Sequence, residues 1–205
     1  MKSYKTVRQR TRAEFTEKKS VFIGYISPVS NEDEAKAFVS EIKAKHADAT
    51  HNVHAYILTG TEIARFSDDG EPSGTAGMPV LEVIKREDLS GVCVVVTRYF
   101  GGILLGAGGL VRAYAKAAKL AVDAAGVCEF RPFLTFSLTV SYSDYEKIRK
   151  ELEKYKVKLD NCDFSEKVVF DLAAEKEDYD KFFEFVSDFT GGTAVFQIKG
   201  ERYDA

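Results

Sequence analysis

Val92-Cys93-Val94-Val95-Val96 leads through Thr97 into Arg98-Tyr99-Phe100-Gly101-Gly102-Ile103-Leu104-Leu105-Gly106-Ala107-Gly108-Gly109, after which Leu110, Ala113, Tyr114, Ala117, Ala121 and Ala124 recur at helical spacing. The unbroken apolar run is that of a buried strand, and the later pattern is the apolar stripe of an amphipathic helix. A strand, a glycine loop and a helix in that order can present backbone N–H groups to an anion, because the first-turn donors lack intrahelical partners and carry partial positive charge. Gly101, Gly102, Gly108 and Gly109 are therefore candidate points at which main-chain donors approach phosphate. Two familiar nucleotide loops are excluded. Gly101 and Gly106 have P-loop spacing, but Ala107 stands where the lysine must be and Gly108 where the hydroxyl must be. A dinucleotide turn beginning at Gly106 places the β-branched Val111 at the third glycine position. The same glycines also suit a ligand-free role, a tight turn with close helix packing.

Upstream lies Arg65-Phe66-Ser67-Asp68-Asp69-Gly70-Glu71-Pro72-Ser73-Gly74-Thr75-Ala76-Gly77-Met78-Pro79, a structured loop dense in turn formers. Asp68, Asp69, Glu71, Ser73 and Thr75 are its candidate surface. The carboxylates lack the alternating spacing of a calcium loop and read as solvated turn acids. Ser73 lies one residue too far from Gly70 for a nucleophile elbow. Because both loops flank the same apolar strand, they are expected to pack together as one surface. His51 and His54, on a predicted strand, point to opposite faces and do not share a metal.

Arg112, Lys116 and Lys119 fall at i, i+4 and i+7 on the helix after the glycines, opposite its alanine-rich face. Together with Arg98 at the end of the strand, they form a positive stripe suited to a sugar-phosphate backbone. An ordinary solvated helix face has the same pattern.

The net charge of −3 over 205 residues argues against strong non-specific nucleic-acid affinity for the whole molecule. Residues 1–128 carry 17 basic and 15 acidic side chains, and residues 129–205 carry 12 and 17, so a polyanion would favour the first half. Cys93, Cys128 and Cys162 are widely spaced, with no disulfide framework or zinc pattern, which fits a reducing cytoplasm. No apolar segment approaches a membrane span, and no cofactor, metal or membrane partner is expected.

Lys2, Lys5, Arg8, Arg10 and Arg12 read as a solvated basic arm. A strand at Ser20–Ile26, a helix capped by Ser30 or Asn31, strands around Val53–Ile57 and Glu62–Phe66, the buried strand and the helix after Gly109 make an α+β domain of mixed sheet and two helices over residues 1–128. Gly126 and Arg131-Pro132 mark its end. From Leu134 the pattern restarts as βαββαβ, a ferredoxin-like split over residues 132–205.

Phe66 to Gly77, followed by Val96-Thr97-Arg98-Tyr99-Phe100-Gly101-Gly102-Ile103-Leu104-Leu105-Gly106, resembles the signature of the IMPACT/YigZ family, and the likeness spans nearly the whole chain. The resemblance implies an N-terminal domain like the second domain of ribosomal protein S5 and domain IV of elongation factor G. It implies a C-terminal domain like domain V of that factor, and hence RNA or ribosome contact. Eukaryotic members of the family regulate translation by competing for an activator of a stress-responsive kinase, but they carry an extra N-terminal protein-binding domain, so that partner is not carried over. The family supplies no agreed catalytic residue. The expectation is a non-enzymatic, cytoplasmic, translation-associated factor that contacts RNA or the ribosome, with a translation-related protein as a further partner. Its contacts would be Arg98, Gly101, Gly102, Gly108, Gly109, Arg112 and Lys116. The alternatives are an enzyme for a small phosphorylated or nucleotide substrate near Ser73, Thr75 and Gly101, and a pure protein-interaction module.

Overall fold

The computed structural model describes residues 2–204. These form two compact units, one of Tyr4–Glu129 and another from Phe130 onward together with the residues ahead of Tyr4.

The first unit runs β1 (Tyr4–Val7), β2 (Thr11–Glu17), β3 (Ser20–Pro28), α1 (Glu32–Lys45), β4 (His51–Ile57), β5 (Ala64–Ser67), α2 (Gly77–Arg86), β6 (Val92–Tyr99) and α3 (Ala107–Ala125). Its sheet has the order β2-β3-β6-β4-β5. The central strand β6 reads as an unbroken apolar run because helices cover both faces. Val92, Val94 and Val96 enter the core with α2 and α3, whereas Cys93 and Val95 enter the core with α1. The α3 helix lies close on β3, since a Cβ at Gly24 would come within 2.3 Å of the Ala117 carbonyl oxygen.

Three expectations are corrected here. The sheet is antiparallel at every pairing rather than mixed. The basic N-terminal run is no solvated arm, because it supplies β1 and β2, with Val7 buried and Phe15 packed on the core. A third helix, α2, begins where a loop was expected. Gly77 and Pro79 fall in its first turn, where a missing N–H costs no intrahelical bond, and Val80, Leu81, Val83 and Ile84 carry it into the core. Of the two candidate caps for α1, Asn31 serves, its side chain accepting from Glu34 N at 2.9 Å.

The second unit is α+β and ferredoxin-like. It runs β7 (Val127–Val140, whose first three residues belong to the first unit), α4 (Tyr142–Glu151), β8 (Lys158–Phe164), β9 (Val168–Ala174), α5 (Lys176–Phe189) and β10 (Val195–Asp204), the βαββαβ order. β7 pairs antiparallel with both β9 and β10, and β8 with β9. Phe136, Leu138, Phe170, Leu172, Ile148 and Phe182 fill its core. The other face of β7 and β9 carries Thr135, Ser137, Thr139, Val169, Asp171 and Ala173, and Asp171 is paired with Lys199.

Candidate functional site

The loop between β5 and α2 turns its acids inward. Ala76, the N-cap of α2, has no capping side chain, and Asp68 fills the role from a distance. Its Oδ1 accepts from Ala76 N at 3.1 Å and Gly77 N at 2.7 Å, and its Oδ2 accepts from Gly74 N at 2.8 Å. Asp69 accepts from Lys43 Nζ at 2.6 Å and from Asn52 N at 2.7 Å. Burial pushes its carboxyl up, but Lys43 and the Asn52 N–H outweigh burial and hold it below the usual carboxylate range. The Asp69 carbonyl accepts from His51 Nδ1 at 2.7 Å, which makes Nδ1 the protonated nitrogen.

Glu71 goes deepest. Its Oε1 accepts from Arg98 Nη1 at 2.6 Å and from the Tyr114 hydroxyl at 2.7 Å, and its Oε2 lies 3.9 Å from His51 Nε2. Glu71 and Arg98 are 7% and 5% exposed. Burial, then the bond to the Glu71 carboxylate, drives the Tyr114 hydroxyl far above its ordinary pKa, so it is a permanent donor. The expectation of solvated turn acids is therefore corrected: all three carboxylates hold the loop, on α2, on β4 and on β6 with α3. Thr75 is buried and donates to the Pro72 carbonyl at 2.6 Å, while Ser73 is exposed. The Glu71–Arg98 pair brings the two sequence loops together. It also places Arg98 in the interior rather than on the surface stripe.

Arg98 sits in a ladder of rings and cations. Its guanidinium carbon is 5.4 Å from the Phe100 ring centre and 5.5 Å from that of Phe22. Phe22 stacks on Phe15 at 5.4 Å, and Lys116 Nζ lies 4.4 Å from the Phe15 ring centre. Phe22 also meets Tyr114 edge-on at 5.3 Å.

The glycines divide in the same way. Gly101 is structural: its N–H donates to Ser20 Oγ at 3.1 Å, and a Cβ there would lie 2.0 Å from the Lys19 carbonyl carbon. Gly102 is exposed on the loop surface. Gly108 and Gly109 lie in the first turn of α3, whose N-cap, Gly106, offers no side-chain cap. Arg112 and Lys116 are exposed one turn apart, whereas Lys119 is engaged by Glu87 at 2.9 Å and Asp123 at 2.7 Å.

A cavity of about 260 Å³ opens beside this turn. Gly109, Arg112 and Lys116 line it with Phe15, Glu17, Lys18, Leu105 and Ala113. Lys18 and Phe15 were missing from the sequence expectation. They arrive because a two-residue turn joins β2 to β3, with Lys18 and Lys19 both at positive φ, 44° and 66°, where asparagine and glycine are usual. The Lys-Lys pair was the available signal. Lys18, Arg112 and Lys116 have no carboxylate within ion-pair reach among the described residues. No cluster of three metal-ligating side chains occurs among the described residues.

The Impact N-terminal domain model matches residues 18–122. A domain of unknown function, DUF1949, matches residues 138–193. This chain belongs to the IMPACT family. It is 42% identical over 191 residues to the IMPACT family member YvyE of Bacillus subtilis (strain 168), covering 93% of this chain and 88% of that protein. It is 34% identical to the IMPACT family member YigZ of Escherichia coli (strain K12), covering 86% and 88%. A solved structure described as that of an hypothetical protein superposes with a TM-score of 0.63 at 31% identity, covering 96% of this chain and 97% of its own. Within the IMPACT domain match fall the whole signature loop, the Glu71–Arg98 pair and the Arg112–Lys116 face. No helix among the described residues is long and apolar enough to cross a membrane.

Proposed function

We propose that this IMPACT family chain is a translation-associated regulatory factor that acts without catalysis, in the cytoplasm, by contacting RNA or the ribosome through its first unit. The observation that carries this reading is the meeting of three cations without an ion-pair partner among the described residues, Lys18, Arg112 and Lys116, at one cavity, which Glu17 also lines, beside the uncapped first turn of α3. Cations that spend no charge on a neighbouring acid are available to phosphate, and the Gly108 and Gly109 amides add donors at the positive end of the helix. Of the signature-loop acids, Asp68 and Asp69 fix the loop on α2 and β4, and Glu71 ties it to α3 through Tyr114. Arg98 contributes through the ring ladder, and Gly101 by seating the loop on the Lys18-Lys19 turn.

A phosphate-led interface of so few cations gives modest, salt-sensitive affinity. That suits a factor that adds a short-range contact to a larger RNA–protein surface. The test is co-sedimentation with ribosomes from a cytoplasmic extract, with and without nuclease and with rising salt. The protein should travel with ribosomes at low salt, leave them as salt rises, and lose the association on combined Arg112→Ala and Lys116→Ala substitution. Association that withstands both nuclease and the double substitution would instead favour a protein-interaction module.

A further inference from the structure

The cavity beside α3 has a composition that phosphate binding alone does not require. A site for backbone phosphate needs donors and cations on a surface. This one is lined by the apolar Phe15, Leu105 and Ala113 as well as by its cations. Phe15 has the form of a platform. One face of its ring is stacked on Phe22 with planes only 14° apart, which holds it rigid. The cation over that ring is a flexible lysine, Lys116, at 4.4 Å. An aromatic ring clamped behind and topped by a movable ammonium suits a flat, weakly polar ligand, because the lysine can swing to the ligand's phosphate as the ligand takes its place on the ring.

We infer that this cavity receives one unstacked nucleotide of a single-stranded RNA, its base against Phe15 and its phosphates held by Lys18, Arg112 and Lys116. The inference rests on the RNA-contact reading above and narrows its ligand. The space of about 260 Å³ lies just below the range that holds drug-sized molecules, and it admits one base rather than a helix. In a duplex the bases are stacked and paired, so only phosphates could reach the cations. Glu17, the one carboxylate among the residues lining the cavity, points the same way. It repels phosphate but accepts from the amino group of a base, which a side chain reaches in a single strand and not in the deep, narrow major groove of an RNA duplex.

The test compares a fluorescein-labelled short oligocytidylate, whose bases carry such an amino group, with a blunt RNA duplex of equal length, by anisotropy at low salt. Wild-type protein should bind the single strand about tenfold more tightly than the duplex, the size expected for one stacked base. Phe15→Leu keeps apolar packing on Phe22 and should erase that preference, and Phe15→Tyr should restore it. Because the chain contains no tryptophan, Phe15→Trp provides an independent reporter, whose emission should be quenched by the oligocytidylate and not by the duplex. If both RNAs bind equally to wild-type protein, or the preference survives Phe15→Leu, or the emission of the Phe15→Trp variant ignores the single strand, the nucleotide pocket is refuted while the RNA-contact reading stands. Failure of wild-type protein to bind either RNA would refute both.

Discussion

Glu71 accepts from Arg98 across 2.6 Å with both side chains buried, and this pair fastens the loop after β5 to the end of β6. Tyr114, from α3, donates to the same Glu71 oxygen at 2.7 Å. Three segments widely separated in the chain therefore converge on one carboxylate. The ring ladder that starts at Arg98 carries this rigidity to Phe15 and the cavity.

Removing one member of such a pair leaves the other charged and buried. Glu71→Ala should destabilise the first unit by about 3–5 kcal/mol, and Tyr114→Phe, which removes one hydrogen bond to a charged acceptor, by about 1.5–3 kcal/mol. Urea unfolding of the two variants checks both the size and the order. Equal and small effects would mean that water satisfies Arg98.

The glycines should separate by role. Gly24→Ala places a methyl 2.3 Å from the Ala117 carbonyl oxygen, against two backbones that cannot yield, and should lower the melting temperature markedly. Gly108→Ala meets only the end of the flexible Arg112 side chain, at 3.6 Å, and it replaces glycine in a helix. It should stabilise by roughly 0.5–1 kcal/mol. Thermal unfolding of the two variants reads the opposite signs.

Acid should destabilise the first unit. His46 is buried, with Nε2 2.7 Å from the Tyr25 hydroxyl and Nδ1 2.9 Å from that of Tyr99, which donates to Asp48. Burial, then the nearby Lys45, lowers its pKa from 6.5. Burial lowers that of His54 as well. With the folded pKa below the unfolded one, the unfolded chain binds more protons between the two values, and stability rises with pH there. The contribution is complete above about 6.5 and is lost as the pH falls below it. Denaturation midpoints measured from neutral to mildly acidic pH should decline, and they should decline less in His46→Gln.

What was legible in the sequence follows from where each signal resides. The alternation from Leu134 onward, the Val92–Val96 run and the α3 stripe are local patterns, and each became the expected element. β2 was hidden because its exposed positions are Arg12, Glu14, Thr16 and Glu17, which read as a charged run unless Phe15 is given weight. α2 was hidden by Gly77 and Pro79, which resemble loop residues but are tolerated in a first turn. The Glu71 network has no local signature at all, since Arg98 lies 27 residues away and Tyr114 lies 43. Phe15 and Lys18 join Arg112 only through the placement of a hairpin.

Fluorescence anisotropy of labelled single-stranded RNA against salt tests the central claim most directly. Each phosphate contact contributes about −0.7 to the slope of log affinity on log salt for a single strand. The combined Arg112→Ala and Lys116→Ala variant should bind more weakly across sequences, with a slope flattened by about 1.4. The same changes at Lys176 and Lys181, which are engaged by Asp180 and Glu177, should alter neither quantity. Affinity and slope unchanged by the first pair, or changed equally by the second, would contradict an RNA interface at the α3 cavity.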